Sequence, residues 1–412
     1  MNLATVKARK LCWNESHPLG LAAFLAPTLS IYAALGMAPL YIVVLVGTLA
    51  VALPSRPWRE FSPAVMAPLW AFCLFGAVSA LWAVDPLQTL RTAAVLMLTF
   101  TCGAGLIVQA RRLDEDGRRR VGFALVVGMT LGLGCLLLEK LTPGLRGLFH
   151  QGKPLDANIV RSSLQRAETV MTVFLFPTCA YLWMERRLRM ALGLLLVFVV
   201  AIYTGTSLAS KLALPAGLAV FALYRWRPRW AQGLVICVVC GLIALQPLWA
   251  LLPDPQLIMD KTQGLIPNSA HHRLTIWHFG ADKTLERPVF GWGLDGARSI
   301  PGGDDNIPIY LMDGGDRVRM HEQLMPLHPH NGALQWWLEL GAVGAALVAA
   351  FSVALVKLVS RQPSPSGAVG LSMMVSALVV ILVSYGVWQS WWQGTLWLAA
   401  AFAAALMPRN SA

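Results

Sequence analysis

Long apolar runs separated by short polar breaks make up most of the chain. Twelve such runs stand out, at about 18–36, 38–54, 63–83, 89–109, 121–138, 169–184, 190–207, 211–224, 230–252, 333–357, 368–388 and 391–407. The eighth is short, and the separation of the first two rests on Gly36 and Pro39. A helix needs roughly 20 mostly apolar residues to cross about 30 Å of hydrocarbon. A few runs would fit a buried core, but a dozen do not. The pattern predicts an all-α, polytopic membrane protein of about 12 transmembrane helices, with 1–412 forming one membrane domain. Two breaks are long, at 139–168 and 253–332. In the second, the apolar spacing of Leu274, Ile276, Trp277 and Phe279 predicts at least one helix near 270–285, lying against the bundle. The stretch Pro288-Val-Phe-Gly-Trp-Gly293 reads as turns.

Composition agrees with the pattern. The chain is 56% apolar and only 13% charged, against about 25% charged residues in soluble domains. A soluble enzyme, a DNA-binding protein and a disordered scaffold are excluded. The seven cysteines lie in apolar runs or in the N-terminal tail, which indicates neither a disulfide framework nor a thiolate metal site. The first apolar run follows Lys7, Arg9 and Lys10 without a clear cleavage site, so it reads as a retained helix.

A net charge of +12 suggests a nucleic-acid partner until it is mapped. Nineteen of the 33 Lys and Arg flank the helices on one side, the side that twelve spans give to both termini. By the positive-inside rule that side is cytoplasmic, and the two long loops face outward. Ten tryptophans, among them Trp82, Trp249 and Trp388, fall near predicted helix ends, at the level of the lipid headgroups.

Few polar groups remain outside, and they cluster. Seven of the eight histidines lie in the two outward loops. His328 and His330 stand where the second loop enters a helix, and Asn331, Gln335 and Glu339 follow at i, i+4 and i+8, on one helical face. At 1.5 Å per residue, Glu339 lies about 12 Å below Asn331, a depth at which a carboxylate needs a partner or a cavity. Either reading of Glu339 stays open at this point. His330 could be a base or a capping histidine. A metal site built from His328, His330 and His271, His272 or His278 is disfavoured, because no HExxH, paired thiolates or spaced carboxylates accompany them. A second group comprises outward cations near the membrane surface: Arg161 and Arg166, Lys211 in Thr204-Gly-Thr-Ser-Leu-Ala-Ser-Lys211, and Arg273. Such groups grip phosphate oxygens.

At these residues the sequence resembles the O-antigen ligase family of bacterial inner membranes, within the group that also holds O-antigen polymerases and O-linking oligosaccharyltransferases. Arg273-Leu-Thr-Ile-Trp277 followed by Arg287-Pro-Val-Phe-Gly-Trp-Gly293 is similar to the family's Arg…Trp…Pro-Gly-Gly pattern. His330-Asn-Gly-Ala-Leu-Gln335…Glu339-Leu-Gly341 is similar to its His-Asn…Leu-Gln…Glu-x-Gly motif. Lys211 stands where the family usually has arginine, which keeps the charge and loses the fork. The resemblance implies a GT-C-like glycosyltransferase of lipopolysaccharide biosynthesis. Its donor would be undecaprenyl-pyrophosphate-linked O-antigen and its acceptor a hydroxyl of the lipid A–core. It implies His330 as base, and Arg161, Arg166, Lys211 and Arg273 on the pyrophosphate. His328, Asn331, Gln335, Glu339 and Arg287 would support them. Inversion at the anomeric carbon, no metal and no cofactor are expected, with the site facing the periplasm and both termini in the cytoplasm. An O-antigen polymerase, a protein O-oligosaccharyltransferase and a lipid-linked glycan flippase are the competing readings. Transporters place polar groups near the midplane, whereas here they cluster at the surface.

Overall fold

The computed structural model describes residues 14, 16–52, 56–142, 163–262, 268–313 and 316–407. Arg161 lies outside them. Twelve apolar helices occupy the expected positions. They are α1 (Ser16–Tyr32), α2 (Met37–Ala52), α3 (Pro63–Val78), α4 (Pro86–Arg112), α5 (Glu115–Leu141), α6 (Gln165–Met184), α7 (Leu188–Tyr203), α8 (Leu208–Trp226) and α9 (Pro228–Ala244). After the outer segment come α12 (Gly332–Ser360), α13 (Ser366–Val383) and α14 (Ser390–Leu406), while α10 (Pro255–Thr262) and α11 (Asn268–Glu286) lie within that segment. Seven of the helices are long and apolar enough to cross a membrane by themselves. Apolar side chains such as Val46, Leu74, Leu98, Phe123 and Leu196 are exposed around the bundle. Water does not tolerate so continuous an apolar exterior, and the chain is a multi-pass membrane protein.

The ends of the helices follow local chemistry. Asp85 caps α4 by accepting from the Gln88 N–H at 3.0 Å, with Pro86 in the first turn. Asp114 caps α5 in the same way through the Gly117 N–H at 2.8 Å. Helix α5 carries Gly128 and Gly132 on one face, four residues apart. There the α1 backbone comes so close that a Cβ on Gly128 would stand 2.5 Å from the Ala23 carbonyl oxygen. Small residues at this spacing let helices approach where lipid offers no hydrophobic drive. One core packs α1, α5, α6 and α14 around Met129, Phe174 and Phe402. A second joins α3, α4, α9, α12 and α13, with Phe72, Leu294 and Leu340 at its centre. A third, smaller core beneath the outer segment gathers Ile276, Trp292, Ile300, Met325 and Leu338.

Three expectations need revision. The ninth run does not continue to 252 as one helix: α9 stops at Ala244 and a 3-10 turn covers Gln246–Leu251, because Pro247 has no N–H to donate. The eighth helix spans 19 residues and is not short. The outer segment contains, besides the expected helix over 270–285, an antiparallel hairpin of β1 (Asn306–Asp313) and β2 (Asp316–Gln323).

Candidate active site

Three segments build the site: the run 324–331 leading into α12, the loop 287–298, and the connection 384–389 between α13 and α14. Asn331 starts α12. Its Oδ1 accepts from the N–H groups of Ala333 (3.1 Å) and Leu334 (3.2 Å), and its Nδ2 donates to Gln246 Oε1 at 2.8 Å. Asn331 therefore acts as an N-cap that also ties α12 to the turn after α9.

His330 precedes the cap in a left-handed conformation, φ 54°, which a non-glycine residue adopts only where the surroundings enforce it. Its Nδ1 lies 2.6 Å from the carbonyl oxygen of Ser384. A carbonyl only accepts, so Nδ1 carries the proton and Nε2 keeps its lone pair. Among the described residues Nε2 has no partner. Burial lowers the pKa of this ring below the usual histidine value, against the Ser384 bond, and the charges of Arg273 and His272 lower it further. The ring is thus a neutral imidazole with one nitrogen free, as a base at neutral pH must be.

His328 has a different task. The two histidine rings are 4.3 Å apart between centroids. The His330 N–H points at His328 Nδ1 (3.1 Å) and the Gly386 N–H at its Nε2 (3.2 Å). A neutral imidazole accepts at only one ring nitrogen, so one of these contacts is the hydrogen bond, and a second ring proton would face a donor at either position. Burial first, then the charges of His330, Arg298 and Arg273, push the pKa of His328 down to about 3. His328 thus holds the backbone of the loop that carries His330. No third His, Cys or carboxylate joins the pair among the described residues.

Glu339 is fully buried and fully engaged. Its Oε1 accepts from Gln335 Nε2 at 2.8 Å, and its Oε2 accepts from the Asp295 N–H (2.7 Å) and Trp388 Nε1 (2.6 Å). Gln335 in turn accepts the Val387 N–H at 3.1 Å. Of the two readings left open by the sequence, the structure supports the partner: Glu339 clasps α12 to the other two segments. Directly beyond it α12 breaks at Gly341, whose φ is 61°. Into the break fits the backbone of 288–293: Trp292 and Gly293 donate to the carbonyls of Leu338 (3.0 Å) and Glu339 (2.8 Å), while Ala342 donates to the carbonyl of Pro288 at 2.9 Å. Asp295 fixes the same loop to α4 by accepting from Gln88 (2.7 Å) and Thr92 (2.8 Å).

The cations divide. Arg273, half-buried on α11, makes no hydrogen bond or ion pair among the described residues, yet its charge acts on both histidines. Lys211, in the first turn of α8, likewise makes no ion pair among the described residues and is felt at Glu168. Glu168 itself is buried and committed to Lys140 at 2.6 Å and to the Ser207 N–H at 3.2 Å. Arg166 lies in the first turn of α6, not ahead of that helix, with its guanidinium 5.8 Å from the ring of Trp391. Arg287 is not brought to the histidines. It is exposed, lies 3.9 Å over Trp292 and donates to the Trp82 carbonyl at 3.4 Å, which staples the loop.

Sequence reasoning missed Arg298 and Tyr385. Arg298 pairs with Asp295 at 3.2 Å and acts on His328; nothing in its neighbourhood of the sequence sets it apart. Tyr385 packs 4.7 Å from Trp391, the ring that carries Arg166, and its phenol interacts electrostatically with Arg273. The apolar run expected to reach 388 ends as a helix at Val383; Gly386 among Ser384-Tyr-Gly-Val-Trp-Gln389 was the available signal of that break.

Comparison with known proteins gives the same direction. Residues 192–349 match the family model described as O-antigen ligase. That range includes Lys211, Arg273, His328, His330 and Glu339, but not Arg166 or Tyr385. A Rickettsia conorii protein named "Putative polysaccharide ligase" is 26% identical over 339 residues, covering 82% of this chain and 77% of that protein. A Rickettsia bellii protein with the same name is 26% identical over 404 residues, covering 91% and 94%. A third, from Rickettsia prowazekii, is 32% identical over 202 residues, 48% of each.

Proposed function

We propose, from the premise that this chain is an O-antigen ligase family protein across residues 192–349, that it transfers a polysaccharide from undecaprenyl pyrophosphate to a sugar hydroxyl of the lipid A–core. The observation that carries this reading is the free Nε2 of His330, on a ring fixed by the Ser384 carbonyl and within the field of Arg273, which has no ion pair among the described residues. The acceptor hydroxyl gives its proton to Nε2 as its oxygen attacks the anomeric carbon. The bond from that carbon to the pyrophosphate oxygen breaks, and the electron pair leaves with the phosphate. Arg166, Lys211 and Arg273 stabilise the charge that develops there, joined by Arg161, which is carried from the sequence alone. A single displacement inverts the anomeric centre. Fixed cations supply what a divalent ion would otherwise provide, so no metal enters the reading. The excess of Lys and Arg on the opposite side supports an outward-facing site in a bacterial inner membrane, with both termini cytoplasmic.

The test is genetic. In a strain lacking this protein, His330→Ala should reach the membrane at normal levels and leave lipopolysaccharide without its O-antigen ladder. A ladder of normal intensity would remove His330 from the chemistry.

A further inference from the structure

Tyr385 is held on three sides. Its chain neighbours touch both histidines: the Ser384 carbonyl takes the Nδ1 proton of His330 at 2.6 Å, and the Gly386 N–H faces His328 Nε2 at 3.2 Å. Its ring meets Trp391 edge-on, 4.7 Å between centroids and 80° between planes, and Trp392 at 6.0 Å. The same Trp391 carries Arg166 at 5.8 Å. Tyr385 thus joins the segment that holds both histidines to the aromatic pair that carries Arg166. Burial keeps the phenol protonated, and hence a donor.

We propose that Tyr385 is a ligand of the leaving group, its O–H donating to a phosphate oxygen of the lipid-linked donor between Arg166 and Arg273. The inference rests on the proposed transfer reaction and adds to it a neutral donor that remains protonated throughout. When the bond from the anomeric carbon to oxygen breaks, the electron pair goes to the pyrophosphate and the acceptor proton to His330; Tyr385 keeps its own proton and shortens its hydrogen bond. Removing one such preorganised donor typically lowers turnover by about 10²–10³.

Tyr385→Phe keeps the ring against Trp391 and Trp392 and deletes only the donor. In the purified full chain it should lower kcat by about 10² or more. Thermal unfolding should be unchanged, and inhibition by inorganic pyrophosphate should weaken severalfold. Turnover and inhibition within twofold of the parent would overturn the inference. Should the variant unfold early, turnover and pyrophosphate inhibition are read below its unfolding temperature, where values within twofold of the parent count against the inference equally. His330→Ala run alongside separates the two claims. If it is inactive while Tyr385→Phe is normal, only the role of Tyr385 fails. If His330→Ala is active, the underlying reaction scheme fails.

Discussion

In the proposed reaction the chemistry turns on one ring whose tautomer is set by one carbonyl, and His330 acts in its neutral form. Burial and Arg273 lower its pKa, so acidification must go below the ordinary histidine value of about 6.5 before the base is protonated. Activity is therefore present above that pKa and lost as pH falls through it. We expect kcat/KM to be level near pH 7–8, with an acid limb below pH 6.5. Arg273→Gln removes a charge that disfavours the imidazolium, so whatever its effect on rate, the limb should move upward; a limb that stays in place would contradict the assignment. The histidine and the spacing of Asn331, Gln335 and Glu339 were legible because side chains at i and i+4 share a face. Gln335 and Glu339 do bond to each other. The Ser384 carbonyl, 54 residues away, was not legible: every residue has a carbonyl, and only folding selects one.

At the scale of elements, a helix break holds the site in place. Gly341 and Gly291 let two backbones interlock, and a Cβ on Gly341 would stand 2.3 Å from the Val289 carbonyl oxygen. Gly341→Ala adds that clash to a positive φ. At φ 61° and ψ −159° the backbone is in a region held almost only by glycine, where another residue costs about 1–3 kcal/mol, and overpacking costs about 1–3 kcal/mol more. The variant should unfold at lower temperature in detergent and lose ligation, whereas Gly134→Ala on α5, where added bulk meets open space, should behave as the parent. Equal stability of the two would disprove the interlock. The sequence marks 288–293 as turns, but it does not reveal that they enter a helix, since α12 reads as one apolar run from 333 to 357. The hairpin was within reach, because Asp313-Gly-Gly-Asp316 is a turn signature between strand-like runs.

At the scale of the molecule, twelve apolar helices build a frame whose exterior suits lipid, and polar chemistry is confined to one end. Charge sorted by loop separated the orienting majority of Lys and Arg from a few outward ones. Of those few, Arg166 and Arg273 interact electrostatically with Tyr385 and Lys211 with Glu168, whereas Arg287 lies over Trp292. Lysine at 211 supplies a point charge where a fork would grip two oxygens, and it stands beside the buried Lys140–Glu168 pair. The match of residues 192–349 to the O-antigen ligase model leaves donor and acceptor to experiment. Purified protein supplied with undecaprenyl-pyrophosphate-linked O-antigen should modify lipid A–core, and should do so in excess EDTA. It should leave protein unmodified and should not extend carrier-linked glycan. Transfer to protein or carrier-linked repeats in place of lipid A–core, or strict dependence on a divalent ion, would contradict the account.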